Sequence, residues 1–440
     1  VAGPHPGPAG LALLPSVGTL EQLTSLSMTA AAEPAITTPA YRQIGYEPGF
    51  DGIRATGALF AVTAHASMIV LPDFDSKGLP ELLPGTFVFM DAFFVLSGFL
   101  ITALLLKEQQ RTGRISLVAF YRRRALRLLP ALWVLLIAHS IYAWIVNYDM
   151  QIQRETIWSV STFTLNFRMD NILTARVATG LTQLWSLSLE EQFYLVWPLL
   201  VIFLLPLRRR LTSTTIILVS AIVFISVRRY LMWADGTDWL RLYTHTDTRA
   251  DSLLLGALIA YWWVHNKTPT RYLPTAAWMA AAFIAWGVVN LSVDGDFANL
   301  GGYNLLAISW AVILLAALDG RWFMCRLIGA RPFRALGRLS YGLYLWHVPI
   351  QFGVAEHARD LPPLVRFALA SFLTFVAVYL SWKLVEEPLI RYKDRIERKP
   401  ALREQGRSES VPLFQPDAKI GVTRADPDPG MNTGGERAKA

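Results

Sequence analysis

Between residues 50 and 392 the chain alternates long apolar runs with short polar, arginine-rich or Gly/Pro-containing stretches. A helix crossing a bilayer needs ~17–25 apolar residues, with some tolerance. Ten runs qualify: 53–71, 87–106, 129–146, 187–206, 212–232, 249–264, 275–292, 303–319, 340–356 and 364–385. An eleventh, 155–168 (ETIWSVSTFTLNFR), is short and studded with Ser, Thr and Asn, which predicts an external or re-entrant segment. The pattern predicts an all-α, polytopic membrane helix bundle. Residues 1–45 read as a disordered leader without the basic start of a signal peptide. Residues 46–395 form the transmembrane domain, and 396–440 read as a disordered cytoplasmic tail. No internal repeat points to an inverted-repeat transporter.

Charge sets the orientation. With ten crossings, the basic clusters Lys107–Arg127, Arg208–Arg210, Lys267 with Arg271, Arg321–Arg338 and Arg391–Lys399 all fall on one side. The loops 72–86, 233–248, 293–302 and 357–363 fall on the other and are poorer in cations. The positive-inside rule then places both termini in the cytoplasm, in a multi-pass protein of the plasma membrane. Arg228 and Arg229 are the awkward pair, either snorkelling outward or facing the bundle. Composition agrees, at 53% hydrophobic and 17% charged residues, because soluble domains carry about 25% charged. The net charge of +8 follows from the same clusters and implies no nucleic-acid partner. The single cysteine, Cys325, excludes an intrachain disulfide, and no His/Cys/Asp/Glu set has metal-ligand spacing.

Candidate chemistry lies inside the apolar runs. In DGIRATGALFAVTAHASMIVL, Arg54 and His65 are eleven residues apart. Eleven steps of about 100° return to within roughly 20°, so both residues share one helical face, roughly 16 Å apart along the axis. Ionisable groups inside a membrane normally face a protein interior or a wet cavity. Arg124 and Arg127, spaced i and i+3, join Arg54 at the cytoplasmic end. Asp91, Glu190, Glu191, Asp251 and His65 are expected toward the outer half. Guanidiniums suit phosphate groups, and an imidazole beside carboxylates suits general-base work on a hydroxyl. The arrangement predicts a phosphate-bearing donor from the cytoplasm and an acceptor from outside.

Each residue also has a plainer reading. Arg124 and Arg127 serve equally as topology determinants, Arg54 as a snorkelling anchor, Glu190 and Glu191 as helix-start acids, and Asp91 as an insertion partner for an arginine. His139 reads as packing, His245 as an exposed loop residue, and His347 as either a packing residue or a catalytic one. Intramembrane charge also marks transport paths, so a transporter or flippase of a glycan or lipid precursor is the competing function.

Five blocks, GFDGIRATGALFAVTAHA, DAFFVLSGFLIT, FYRRRALRLLPAL, LWSLSLEEQFYLVWP and LSYGLYLWHVPI, occur in order across about 50–392. Together they resemble the membrane acyltransferase 3 family. TRADSLLLGALIA and SWKLVEEPLIR add to the resemblance. It implies O-acylation of a sugar, cell-envelope glycan, glycolipid or secondary metabolite, with acetyl-CoA or another acyl-CoA as co-substrate and no metal. The family's arginine–ten residues–histidine motif falls on Arg54 and His65, its Arg-x-x-Arg motif on Arg124 and Arg127, and its acidic motif on Glu190 and Glu191. The arginines would hold the CoA phosphates, and His65 would be the general base or carry the acyl group briefly. Glu190, Glu191 or Asp91 would orient the imidazole. Some members add a C-terminal SGNH esterase-like domain, for which the sequence after the last apolar run offers no pattern.

Overall fold

A computed structural model describes residues 42–71, 84–170, 176–205 and 211–391, besides Gly3. The predicted leader and tail fall almost wholly outside the described residues. Each of the ten apolar runs is a helix: α1 Pro48–Ile69, α2 Met90–Thr112, α3 Leu117–Ile145, α4 Trp185–Leu204, α5 Leu211–Ala234, α6 Thr246–Val264, α7 Leu273–Asn290, α8 Tyr303–Asp319, α9 Arg331–His357 and α10 Pro363–Ser381. Among the described residues there is no strand. The largest boundary errors are at α3 and α9, which start earlier than their apolar runs because each opens with an arginine-rich turn. Ser116 caps α3 by accepting from the Ala119 N–H, so helix geometry is set before hydrophobicity begins.

Seven of these helices are long and apolar enough to cross a membrane, namely α2, α3, α4, α5, α7, α8 and α10 with their short extensions. They present bulky apolar side chains outward, such as Phe203 on α4, Phe224 on α5 and Phe372 on α10. In water that surface would aggregate, whereas in lipid it needs no partner. The remaining three are interrupted by polar groups: Arg54 and His65 in α1, Asp247, Arg249 and Asp251 at the start of α6, and Arg331, Arg334 and Arg338 at the start of α9. Their pairings α1/α9 and α2/α6 are the most extensive in the bundle.

Small residues bring these pairs together. A Cβ added at Gly98 would run into Leu253 O, and one at Gly256 into Val95 O, so α2 and α6 touch backbone to backbone. Pair directions follow from the contacts. Asp91 meets Arg249 and Phe99 meets Trp263, so α2 and α6 run parallel. Arg124 meets Glu191 while Tyr121 bonds Leu195 O, so α3 and α4 run antiparallel. Strict alternation of ten crossings requires both directions.

Two ion pairs sit in the core. Asp91 accepts from Arg249 (2.9 Å) and Ser252 (2.6 Å), with both members of the ion pair fully buried. Asp251 accepts from Arg229 (2.8 Å) and Asn304 (3.0 Å). Arg229 therefore faces the bundle, while half-exposed Arg228 pairs with Asp247 at 2.7 Å. These bonds tie α2, α5, α6 and α8 together.

The eleventh run forms a short helix, Met150–Ser161, and a 3-10 turn, Leu165–Arg168. The helix folds back along α3, with Gln153 donating to Ser140 Oγ. Gln192 on α4 holds its end by donating to Phe163 O (2.6 Å) and Asn166 Oδ1 (2.9 Å). His245 departs from its predicted exposure. It is 4% exposed, because the fold-back places Asp170 3.0 Å from its Nε2 and Phe167 against its ring. His139 is buried and bonds Thr179 O, a packing role.

Removing one partner of a buried ion pair leaves an uncompensated charge, at a cost of about 3–5 kcal/mol. Asp91→Ala should therefore lower the unfolding temperature of the detergent-solubilised protein markedly. The double variant Asp91→Ala, Arg249→Met should recover much of the loss.

Candidate active site

Residues from α1, α2, α3, α4 and α9 enclose a cavity of about 230 Å³. Its lining includes Arg54 and His65, Arg124 and Arg127, and Glu190 and Glu191. The shared face of α1 thus opens into one space. Asp91 does not reach it; its carboxylate is bound by Arg249 and Ser252, away from His65. That position corrects the expectation that Asp91 orients the imidazole.

The carboxylates also sit deeper than expected. Glu190 and Glu191 were placed near the outer surface on the premise that α4 starts there. Instead, the segment before α4 plunges into the bundle. Gln183 donates to Leu345 O in mid-α9 (3.3 Å), and Tyr344 donates to Gln183 O (2.6 Å). Trp185, the first residue of α4, is already buried. The acids consequently meet the arginines: Glu191 lies 3.4 Å from Arg124, and Glu190 accepts from Tyr194 (2.9 Å) and Ser97 (3.2 Å). The Arg124 guanidinium lies over the Tyr194 ring at 3.6 Å, a cation–π contact that fixes its plane. The clean separation of cations inward and acids outward does not hold; acids and arginines share one level.

Of the three arginines, Arg54 pairs with Asp51 at 3.4 Å and Arg124 with Glu191. Arg127 has no ion pair among the described residues. A cavity wall with an unmatched guanidinium is an anion site in waiting, since its forked donors match phosphate or carboxylate oxygens.

His65 stands at a junction. A second cavity of about 210 Å³, bounded by Gly57, Phe89, Trp239 and Val293, also reaches it, and Ala61, Met90, Phe93 and Tyr243 line both spaces. His65 Nδ1 lies 2.9 Å from Ala61 O and 3.2 Å from His347 Nε2. His347 lines the first cavity and is 1% exposed. Its pairing with His65 is a contact between α1 and α9 that one-dimensional spacing could not reveal. The sequence signal was the imidazole in LSYGLYLWHVPI, which fits packing and catalysis equally. Tyr194, Ser97 and Tyr344 were missed for the same reason, being ordinary residues until the bundle assembles. Among the described residues no group of three His, Cys, Asp or Glu side chains could hold a metal ion.

Residues 47–383 match the acyltransferase-domain model of the acyltransferase 3 family. The chain belongs to that family. Among its curated relatives, the putative peptidoglycan O-acetyltransferase YrhL of Bacillus subtilis (strain 168) is 28% identical over 78% of this chain and 55% of its own length. O-acetyltransferase OatA of Staphylococcus aureus is 27% identical over 78% of this chain and 57% of its own. The putative O-acetyltransferase SAS0844 of Staphylococcus aureus (strain MSSA476) is 30% identical over 79% and 58%. The chain thus spans a little over half the length of these relatives. No solved structure matches it.

Two of the cavity arginines, Arg124 and Arg127, differ in a measurable way. Arg124→Leu strands Glu191 and should destabilise the fold by about 1–3 kcal/mol. Arg127→Leu removes an unmatched charge and should leave the unfolding temperature unchanged or raised. Thermal unfolding in detergent distinguishes them; equal losses would mean that Arg127 has a structural partner.

Proposed function

We propose that the chain is a plasma-membrane O-acyltransferase. It moves an acetyl group from acetyl-CoA, or another acyl group from its CoA thioester, to a hydroxyl of a cell-envelope glycan. The names of its relatives make peptidoglycan the first acceptor to test. In this reading all ten helices cross and both termini are cytoplasmic. The observation that carries it is one cavity with arginines at one level and His65 at a junction with a second cavity.

At about 230 Å³ the first cavity is smaller than the usual ~300–1,000 Å³ of a small-molecule site. It suits a linear pantetheine arm rather than the whole nucleotide. Arg127, with Arg54 and Arg124, faces the donor's phosphates. Glu190 and Glu191 act on the arginines, setting the plane and charge of Arg124 directly and through Tyr194. The acceptor approaches His65 through the second cavity. His65 Nε2 takes the proton from the acceptor hydroxyl as its oxygen attacks the thioester carbonyl. The carbon–sulfur bond then breaks, and the departing CoA sulfur takes that proton, leaving an ester and free CoA thiol. The imidazole begins and ends neutral.

Purified protein in nanodiscs, given labelled acetyl-CoA and muropeptide glycans, should form an acetyl ester detectable by mass spectrometry. His65→Ala should lower kcat by about 10²–10⁴-fold, the usual worth of a general base, with membrane insertion intact. Normal ester formation by that variant would remove His65 from the chemistry. Passage of a glycan or lipid precursor across the bilayer without thioester consumption would favour a transporter.

A further inference from the structure

His347 is buried, lies in a helix distant in sequence from His65, and meets it ring to ring. The ring centroids are 5.1 Å apart and the planes are inclined at 60°. The hydrogen-bond pattern around the two rings has a fixed direction. His347 Nδ1 lies 2.8 Å from Leu343 O, and a carbonyl only accepts, so the proton of a neutral His347 is on Nδ1. Its Nε2 then carries the lone pair. That atom faces His65 Nδ1 at 3.2 Å, so the bond forms only when His65 is protonated on Nδ1. The remaining nitrogen, His65 Nε2, is left with its lone pair.

We propose that His347 is a positioning residue that holds His65 in the Nδ1–H tautomer and fixes its ring angle. This rests on the functional reading above, in which His65 is the base. Ala61 O selects the same tautomer, but it is the i−4 carbonyl of α1 itself and already accepts a backbone bond of the helix. It cannot set the ring against the rest of the bundle. His347 can, because it comes from α9. When His65 Nε2 accepts the acceptor's proton, the imidazolium Nδ1–H still donates to His347 Nε2. When the CoA sulfur takes the proton back, the pair returns to its starting state. His347 stays neutral throughout.

A carboxylate commonly fills this third position in hydrolytic triads. Here the carboxylates lining the cavity are engaged, Glu191 with Arg124 and Glu190 with Tyr194 and Ser97. An extra unpaired carboxylate in the bundle would be costly. A neutral imidazole supplies the acceptor without a buried charge. The contact exists because α1 and α9 pack closely: a Cβ at Gly337 of α9 would collide with Asp51 O of α1.

The test compares wild type, His347→Phe and His347→Gln in nanodiscs, following release of CoA thiol from acetyl-CoA with muropeptide acceptors. Phe fills the space without accepting a bond, whereas the Gln carbonyl can accept from His65 Nδ1–H. His347→Phe should lose about 10²-fold in kcat with KM for acetyl-CoA and unfolding temperature little changed. His347→Gln should recover most of the loss. Wild-type kcat in His347→Phe, or equal losses in both folded variants, would overturn the proposal. Nitrogen-15 spectra of histidine-labelled protein should report Nδ1–H at both residues; Nε2–H at either overturns this proposal alone. No thiol release by wild type would overturn the functional reading and this one with it.

Discussion

A charge inside a lipid-facing bundle has no water to fall back on, so it needs a protein partner within hydrogen-bond reach. This constraint organises the molecule. Asp91 with Arg249 and Asp251 with Arg229 lock α2, α5, α6 and α8 into one block at one end. Arg249 also lies over the Tyr303 ring at 4.0 Å, which brings α8 to the same point. The outward surface of the bundle is apolar, with Phe203, Phe224 and Phe372 among its exposed side chains. The pairs reach into helices that are long and apolar, Asp91 on α2 and Arg229 on α5, so a buried charge is tolerated there only because its partner is supplied by α6.

The glycine contacts are the other half of that constraint. Bulky side chains between α2 and α6, or between α1 and α9, would hold the backbones apart and leave the polar groups out of reach. Gly98, Gly256 and Gly337 remove that spacer. Lipid tails are as apolar as a leucine core, so burial alone gives these helices little reason to associate. Close van der Waals packing and interhelical hydrogen bonds do instead. The polar network and the small-residue seams therefore stabilise the same pairings.

Most of the fold was legible in one dimension. Ten apolar runs became ten helices because a membrane demands that each segment satisfy its own backbone bonds, a local requirement. The shared face of Arg54 and His65 was legible for the same reason, since helical period is local. Depth was not. Glu190 and Glu191 were misplaced because nothing in LWSLSLEEQFYLVWP records that the preceding turn, anchored by Gln183 on α9, starts the helix inside the bundle. For a related reason the sequence could not choose between the two readings of Asp91, arginine partner or imidazole orienter, and it misread His245 as exposed. Their partners, Arg249 and Asp170, lie 158 and 75 residues away, and only assembly brings them close.

The depth of Glu190 and Glu191 changes what the cavity can do. Acids at the outer surface would have had the imidazole as their natural partner, leaving three bare arginines for the donor. With the acids at the arginine level, Arg124 is neutralised and its plane is set by Tyr194, while Arg127 has no ion pair among the described residues. An anion entering from that end meets one guanidinium free to bind it and two already held in place. Among the described residues His65 bonds Ala61 O and His347 and makes no ion pair with a carboxylate. Its base-competent tautomer then depends on α9, which makes the α1/α9 seam part of the proposed chemistry and ties the fate of the site to how closely two backbones approach.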